Sequence, residues 1–298
     1  MVAILAKVSV GITQVNGSTD LTDPDPVALN APVMLCGQEL VEPQPVVLNS
    51  GQAVVFSRSH AGQSGANEDA LGVFEDADEK ICLAVADGVG GLPRGLEAAT
   101  LVISLLAEAS LSKETSLKSR IQSANQTLLA QLPNSATTVS VTEIADSTLI
   151  NCHAGDSTTL VVGQRGRIKL KTQAHSPVGI KEANGLDEKE ALFHPQRHLL
   201  NNMMGDPALW LEKQDTLELA SRDTVLLGTD GLWDNLFLSE IVELIRVGEL
   251  YESAQKLAET VIQRMDHPVT GLPSKPDDVT FILYRPSVNN EADTAVED

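Results

Sequence analysis

The stretch I-C-L-A-V-A-D-G-V-G-G at residues 81–91 decides how the rest of the chain is interpreted. Its first six residues are apolar and have the length of a buried β-strand, and the glycines mark the loop that ends it. Apolar residues at helical spacing follow at 95–110, and a second helical segment covers 116–132 and stops at Pro133. The stretch therefore predicts a strand that delivers Asp87 to a loop, followed by a pair of helices.

Further strands and helices are predicted on both sides of this region. The strands cover residues 53–56, 70–74, 137–144, 147–154, 157–163, 224–229 and 279–284, and two more helices cover about 239–247 and 252–265. Strands and helices do not alternate along the chain, which disfavours a doubly wound parallel sheet. We predict an α+β fold in which two packed sheets have helix pairs outside them. Residues 175–205, rich in Pro, Gly, His and Asn, are predicted to form a long functional loop or flap.

The chain divides into three predicted parts. Residues 1–50 carry five prolines, which disfavour helix and predict an extended or edge-strand appendage. Residues 51–286 are predicted to form the main domain. Residues 287–298 are polar and acidic, and we predict a disordered tail there.

The composition limits the classes of function. Hydrophobic residues make up 42% of the 298 residues, which excludes global disorder. A formal net charge of −20 disfavours binding to nucleic acid or to an anionic membrane surface. No stretch approaches the roughly 18 apolar residues of a membrane-spanning helix. The three cysteines have no metal-ligand spacing and suit a reducing compartment. We expect a cytoplasmic monomer.

Acidic residues recur where the predicted strands begin or end. They are Glu68, Asp69, Asp87, Asp156, Asp230, Asp277 and Asp278. Any one Asp-Gly turn is by itself typical of an ordinary turn. Several carboxylates at buried strand ends are costly unless they are paired, hydrated or bound to metal. Carboxylates without His or Cys are the ligands of hard cations such as Mg²⁺ or Mn²⁺, and the glycines after Asp87 allow close backbone approach.

These motifs resemble those of the metal-dependent serine/threonine protein phosphatases, the PPM family or type 2C phosphatases, in their bacterial form. The matching blocks, in family order between residues 53 and 285, are N-E-D-A (67–70), A-D-G-V-G-G (86–91), A-T-T (136–138), A-G-D-S (154–157), L-L-N-N-M-M-G-D-P (199–207), G-T-D-G-L-W-D (228–234) and D-D-V-T-F-I (277–282). The resemblance implies a central antiparallel β-sandwich flanked by helix pairs in four layers. It also implies a metal centre at one end of the sandwich.

The resemblance further implies a ligand set for two, or three, Mg²⁺ or Mn²⁺ ions. The implied ligands are Glu68, Asp69, Asp87, the Gly88 carbonyl, Asp156, Asp230 and Asp277. Asp87 and Asp230 are the implied catalytic carboxylates, with Asp87 bridging two ions and Asp69 acting through water. Asp156 would share a third, weaker ion with Asp230. Asp277 is preferred to Asp278 because the family pattern places the ligand first.

The implied activity is hydrolysis of phosphoserine and phosphothreonine in protein substrates. Two divalent ions lower the pKa of a shared water, which attacks phosphorus directly, so we expect chelation to abolish activity. Ser64 stands where the family usually carries a phosphate-binding arginine, and Arg58 and Arg94 are the nearest candidates to replace it. The sequence therefore leaves two alternatives open. One is a catalytically weak member that acts as a regulatory or binding module, and the other is a small-molecule phosphoester hydrolase.

Overall fold

The computed structural model describes residues 27–28, 33–60, 65–76, 78–110 and 115–287. The strands in these ranges are β1 (Val27–Ala28), β2 (Val33–Cys36), β3 (Gln44–Leu48), β4 (Gly51–Arg58), β5 (Asp69–Glu75), β6 (Ile81–Asp87), β7 (Val139–Ala145), β8 (Thr148–Ala154), β9 (Thr158–Val162), β10 (Ile168–Lys171), β11 (Glu212–Lys213), β12 (Leu217–Glu218), β13 (Thr224–Gly228) and β14 (Val279–Pro286). The helices are α1 (Gly95–Ser110), α2 (Leu117–Gln131), α3 (Pro177–Ala183), α4 (Glu188–Leu192), α5 (Asp230–Trp233), α6 (Leu238–Ile245) and α7 (Leu250–Asp266).

The strands form two sheets. One has the order β1-β3-β4-β14-β13-β9-β10, and the other has the order β11-β8-β7-β6-β5-β2, with β12 also paired to β8. Among the described residues, every strand pair is antiparallel except the two-residue pair of β1 and β3. The antiparallel sandwich predicted from the sequence is therefore confirmed.

Three hydrophobic cores hold four layers together. The central core lies between the two sheets, a second core joins α1 and α2 to the sheet that contains β6, and a third joins α6 and α7 to the other sheet. The sequence of β6 is continuously apolar because both faces of the strand are buried. Ile81, Leu83 and Val85 enter the central core, while the alternate residues Cys82 and Ala84 pack in the core with α1.

The described part of residues 1–50 pairs with both sheets. Strand β2 is the edge strand beside β5, and β3 forms a hairpin with β4, so that Leu35, Val46 and Leu48 contribute to the central core. The predicted boundary after residue 50 falls at the turn of this hairpin. Residues 1–26 and the tail from 288 lie outside the described residues, and the division into three parts stays a prediction.

The segment 175–205 differs from the loop predicted there, because it contains the helices α3 and α4. The Ser176 side chain accepts a hydrogen bond from the Gly179 N–H at 2.9 Å, and Pro177 occupies the first turn of α3. Asp187 caps α4 in the same way. Strand β10 was also absent from the predicted elements. Among the residues described, no helix combines the length and apolar character that crossing a membrane requires.

Candidate metal centre

The ends of four strands from both sheets meet at one end of the sandwich. In one sheet, Asp69 and Asp87 are opposite each other in the register of β5 and β6. In the other sheet, Asp230 follows β13 and Asp277 precedes its neighbour β14. The hydroxyl of Thr229 donates to Asp69 Oδ2 at 2.8 Å and so joins the two sheets at this point.

The backbone around Asp87 is fixed by Thr137 and Thr138, in the segment between α2 and β7. The Asp87 N–H donates to Thr138 Oγ1 at 3.0 Å, and the Asp87 carbonyl accepts from the Thr138 N–H and the Thr137 hydroxyl, each at 2.8 Å. The next residue, Gly88, packs against the start of α1, where an added Cβ would lie 2.4 Å from the Gly95 carbonyl carbon. A glycine is therefore required here for packing as well as for access to its carbonyl.

The negative charges of neighbouring carboxylates make ionisation of several of these aspartates unfavourable. Burial raises the pKa of Asp87, and the negative charges of Asp230 and Asp69 raise it further. Burial followed by the charge of Asp278 does the same for the pKa of Asp69. Burial and the charge of Asp230 raise the pKa of Asp156 to about 7. Like charges of this kind are stabilised either by protonation or by a bound cation.

The final strand brings two more carboxylates to the same place. Burial raises the pKa of Asp277 to about 6, with Asp230 adding to the shift. Burial also raises the pKa of Asp278 to about 6. The Glu68 N–H, which donates to Asp278 Oδ2 at 2.7 Å, lowers this pKa but does not cancel the effect of burial. The other oxygen of Asp278 is buried and has no hydrogen-bond partner within the described residues. An oxygen-only donor set with an unpartnered oxygen fits Mg²⁺ or Mn²⁺.

Glu68 is the one implied ligand whose carboxylate the structure places beside this cluster rather than in it. Its carboxylate lies against Gly95 and accepts a hydrogen bond from the Leu96 N–H at the start of α1. Burial followed by the charge of Glu97 raises its pKa. Its backbone, by contrast, contacts the cluster through the bond to Asp278.

Two cations enter the centre that the sequence analysis did not identify. The Lys275 ammonium lies 2.5 Å from Asp230 Oδ2 and 3.1 Å from an oxygen of both Asp234 and Asp277. Burial alone would raise the pKa of Asp230, but the charge and hydrogen bond of Lys275, a hydrogen bond with Asp87 and the charge of Arg197 together hold that pKa below its usual value. Arg197, in the segment between α4 and β11, donates to Asp234 Oδ1 at 2.6 Å and to Glu182 Oε2 at 3.2 Å.

The sequence held a partial signal for these residues. Asp234 ends the G-L-W-D block, and Lys275 stands two positions before Asp277. Nothing in the spacing showed that the Lys275 side chain turns back to α5, because that depends on the loop between α7 and β14.

The two arginines predicted to bind phosphate lie in different parts of the structure. Arg94 ends the loop that starts at Gly88, adopts a positive φ of 62°, and donates to the Pro133 carbonyl at 2.8 Å. Arg58 is opposite Val279 in the register of β4 and β14, and its side chain lines a surface groove beside α7. Ser64 lies outside the described residues.

Comparison with known proteins gives a consistent set of relatives. The family model for protein phosphatase 2C matches residues 57–262. Serine/threonine phosphatase stp of Listeria welshimeri is 26% identical over 196 residues, which are 60% of this chain and 77% of that protein. Serine/threonine protein phosphatase PstP of Mycobacterium tuberculosis is 26% identical over 216 residues, which are 67% of this chain and 39% of that protein.

Solved structures share the fold. The crystal structure of the Mycobacterium tuberculosis phosphatase PstP/Ppp superposes with a TM-score of 0.66 at 25% identity, covering 80% of this chain and 100% of that one. Stp1 from Staphylococcus aureus gives a TM-score of 0.69 at 24% identity, covering 83% of this chain and 97% of that one. The family model spans most of the described sandwich, including the strand ends at Asp69, Asp87, Asp156 and Asp230. The chain therefore belongs to the protein phosphatase 2C family.

Proposed function

We propose that this protein is a Mg²⁺- or Mn²⁺-dependent phosphatase that hydrolyses phosphoserine and phosphothreonine in protein substrates. The observation that carries the proposal is the meeting of Asp69, Asp87, Asp156, Asp230 and Asp277 at one end of the sandwich, where burial and mutual repulsion act on their charges. Relatives named as serine/threonine phosphatases support it, as does the PstP catalytic domain, which was solved in complex with two manganese ions.

The chemistry assigned to the ions is general to paired divalent cations. Such ions polarise a phosphoryl oxygen and lower the pKa of a water molecule, which supplies a nucleophile near neutral pH. The residues that would hold the two ions are Asp87, which would serve both, the Gly88 carbonyl for one ion, and Asp230 and Asp277 for the other. Asp156 is assigned to a third ion together with Asp230.

The remaining assigned ligands act from the edge of the cluster. Asp69 is held by the Thr229 hydroxyl, and we assign it to a ligand role through water. Glu68 keeps its assigned ligand role, although its carboxylate is bonded to the start of α1 in the structure described here.

We assign Arg94 and Arg58 to the binding of substrate phosphate. Arg94 is supported by its place in the loop that begins at Gly88, and Arg58 by its position beside the strand that follows Asp278. A guanidinium binds phosphate with two parallel hydrogen bonds, so loss of one arginine weakens substrate binding without removing the ions. We also propose a monomer that acts in the cytoplasm and binds neither nucleic acid nor membranes, which the net charge of −20 supports.

The test is hydrolysis of p-nitrophenyl phosphate and of a phosphothreonine peptide, each with Mn²⁺, with Mg²⁺ and with a chelator. We expect turnover that needs the ion and that Asp230→Asn loses, while Asp146→Asn, in the exposed turn between β7 and β8, keeps it. No turnover with either ion in folded protein would favour the catalytically weak binding module. Turnover of nucleotides or sugar phosphates in preference to the peptide would favour a small-molecule hydrolase.

A further inference from the structure

The ammonium of Lys275 is placed where three carboxylates converge. Its distances to Asp230, Asp234 and Asp277 are 2.5, 3.1 and 3.1 Å, and its side chain is 33% exposed. An ammonium has three N–H donors and no acceptor, so three carboxylate partners use its full capacity. Lys275 is thus a partner of the cluster itself and not a surface lysine with one exposed ion pair.

The backbone of Lys275 is fixed from both sides by one buried side chain. The Lys275 N–H donates to Asn235 Oδ1 at 2.7 Å, and Asn235 Nδ2 donates to the Lys275 carbonyl at 2.8 Å. The same amide nitrogen donates to the Gly231 carbonyl at 2.8 Å, within the helix that begins at Asp230. The loop that carries Lys275 is therefore held to the element that carries one of its carboxylate partners.

Two of the three carboxylates that Lys275 binds are also assigned to the divalent ions. Asp230 and Asp277 carry that assignment, whereas Asp234 does not, and Asp234 also accepts a hydrogen bond from Arg197. A divalent cation bound to the oxygens of Asp230 and Asp277 would be repelled by an ammonium only a few ångströms away. The lysine and the ion therefore compete for the same negative charge.

We propose that the Lys275 ammonium is a built-in cation that competes with a divalent ion for Asp230 and Asp277. Without metal it neutralises the cluster and stabilises the folded protein. With metal it weakens binding of the ion that these two aspartates share, so that this ion is held less tightly than the carboxylates alone would hold it. This inference rests on the proposed metal-dependent function, because it concerns the same ligands.

The test is calorimetric titration of the full chain with Mn²⁺ at one pH, comparing Lys275→Gln with the wild type. Lys256→Gln is the matched control, since Lys256 is 62% exposed, pairs with Glu252 on α7 and changes the net charge equally. We expect Lys275→Gln to bind the Mn²⁺ that Asp230 and Asp277 share about tenfold more tightly than the wild type, a change of roughly one decade in Kd. Lys256→Gln should match the wild type. Equal or weaker binding by Lys275→Gln would overturn the proposal.

Thermal unfolding in chelator gives a second readout that does not depend on turnover. We expect Lys275→Gln to have a lower Tm than both the wild type and Lys256→Gln in chelator, and excess Mn²⁺ to close that gap. An unchanged Tm in chelator would contradict the neutralising role. If Lys275→Gln does not fold without metal, its affinity is measured by chelator competition from Mn²⁺-loaded protein. Lys275→Arg, which keeps the charge, should fold and bind Mn²⁺ like the wild type, and tightening in that variant would also count against the proposal.

The failure of this inference can be told apart from failure of the proposed function. Unchanged Mn²⁺ binding in Lys275→Gln, with metal-dependent phosphatase activity intact, removes only the role of Lys275. Tight Mn²⁺ binding that responds to the substitution, without turnover of any phosphoester, removes only the proposed function. Absence of Mn²⁺ binding in every variant removes both.

Discussion

The aspartates at the strand ends of the centre repel one another's charges in protein without metal, although only Asp69 and Asp278 among them are fully buried. Asp87 lies among Asp230, Asp69, Asp156 and Asp277, and its pKa is raised by burial first and then by each of these charges. Lys275 lowers the pKa of Asp230, yet the pKa of Asp277 stays raised to about 6 even with that ammonium 3.1 Å away. One lysine therefore leaves a large part of the negative charge for divalent ions to balance.

Replacing Asp87 separates the effect of its carboxylate on catalysis from its effect on the stability of the folded protein. We expect Asp87→Asn to lower the metal-dependent rate by roughly 100-fold or more, because a neutral amide replaces the carboxylate assigned to both ions. In chelator we expect its free energy of unfolding to be equal to or about 1 kcal/mol above that of the wild type, because a repelled buried charge is lost. Urea unfolding and initial rates measure the two effects.

The conservative control for this prediction lies in the turn between β7 and β8. Asp146 is exposed and has a positive φ of 48°, which asparagine also tolerates. Asp146→Asn should change neither the rate nor the stability. Full activity in Asp87→Asn would show that another group performs the role assigned to this carboxylate.

At this scale the sequence indicated the acidic residues but not their cationic partners. Each aspartate stands directly beside an apolar strand, so its position at the end of a sheet follows from the strand pattern. The ligand roles stay predictions. Lys275 and Arg197 could not be identified in this way, because each reaches Asp234 from a loop whose path depends on tertiary contacts.

Among the elements, the turn between β8 and β9 shows how backbone conformation places a carboxylate. Gly155 has a φ of 104°, and an added Cβ would lie 2.7 Å from the Cβ of Thr138, the residue that hydrogen-bonds the Asp87 backbone. The neighbouring Ser157 hydroxyl is 2.7 Å from Thr138 Oγ1. The turn that carries Asp156 is thus packed directly on the support of Asp87.

Gly155→Ala should destabilise the protein through both backbone strain and collision with Thr138. We expect a loss of about 2–3 kcal/mol in the free energy of unfolding, measured in urea. Gly185→Ala is the matched control, since Gly185 has a similar φ of 98° with nothing within 4 Å of the added Cβ, so only strain of about 1 kcal/mol applies. Equal losses in the two variants would show that the contact with Thr138 contributes nothing.

The helices α3 and α4 show where prediction of the elements failed. Residues 175–205 are rich in Gly, Pro, His and Asn, which favoured a loop. Short helices are set by local capping rather than by composition, and the Ser176-Pro177 pair and Asp187 supply the caps. By contrast, α1 and α7 have 16 and 17 residues, and helices of that length were predicted within a few residues of their observed bounds.

For the whole molecule, the raised pKa values link stability to pH. Asp156 has a folded pKa of about 7, and Asp277 and Asp278 have folded values of about 6, against a model-compound value of 3.8. The folded state therefore binds protons more tightly than the unfolded state. Their contribution to stability is fully present below about pH 4 and is lost as the pH rises through 6 and 7. Asp230 acts in the opposite sense, but its contribution is already complete across this range.

We accordingly expect the Tm in chelator to fall between about pH 6.5 and pH 8, above the range in which the lowered pKa values of His153 and His175 make stability rise with pH. Mn²⁺ should raise the Tm more at pH 8 than at pH 5, because ions and protons compete for the same carboxylates. Thermal unfolding at several pH values with and without Mn²⁺ measures both trends. A Tm in chelator that rises steadily to pH 8 would contradict the account of the cluster as a set of repelled charges.

The central claim is that the catalytic ions lie on the aspartates at the meeting of the two sheets. The most direct measurement is an anomalous difference map from a crystal grown with Mn²⁺ and recorded at the manganese absorption edge. We predict separate peaks in contact with Asp87, one of them also in contact with Asp230 and Asp277. Manganese found elsewhere in the molecule, with none at these carboxylates in an active crystal form, would contradict it.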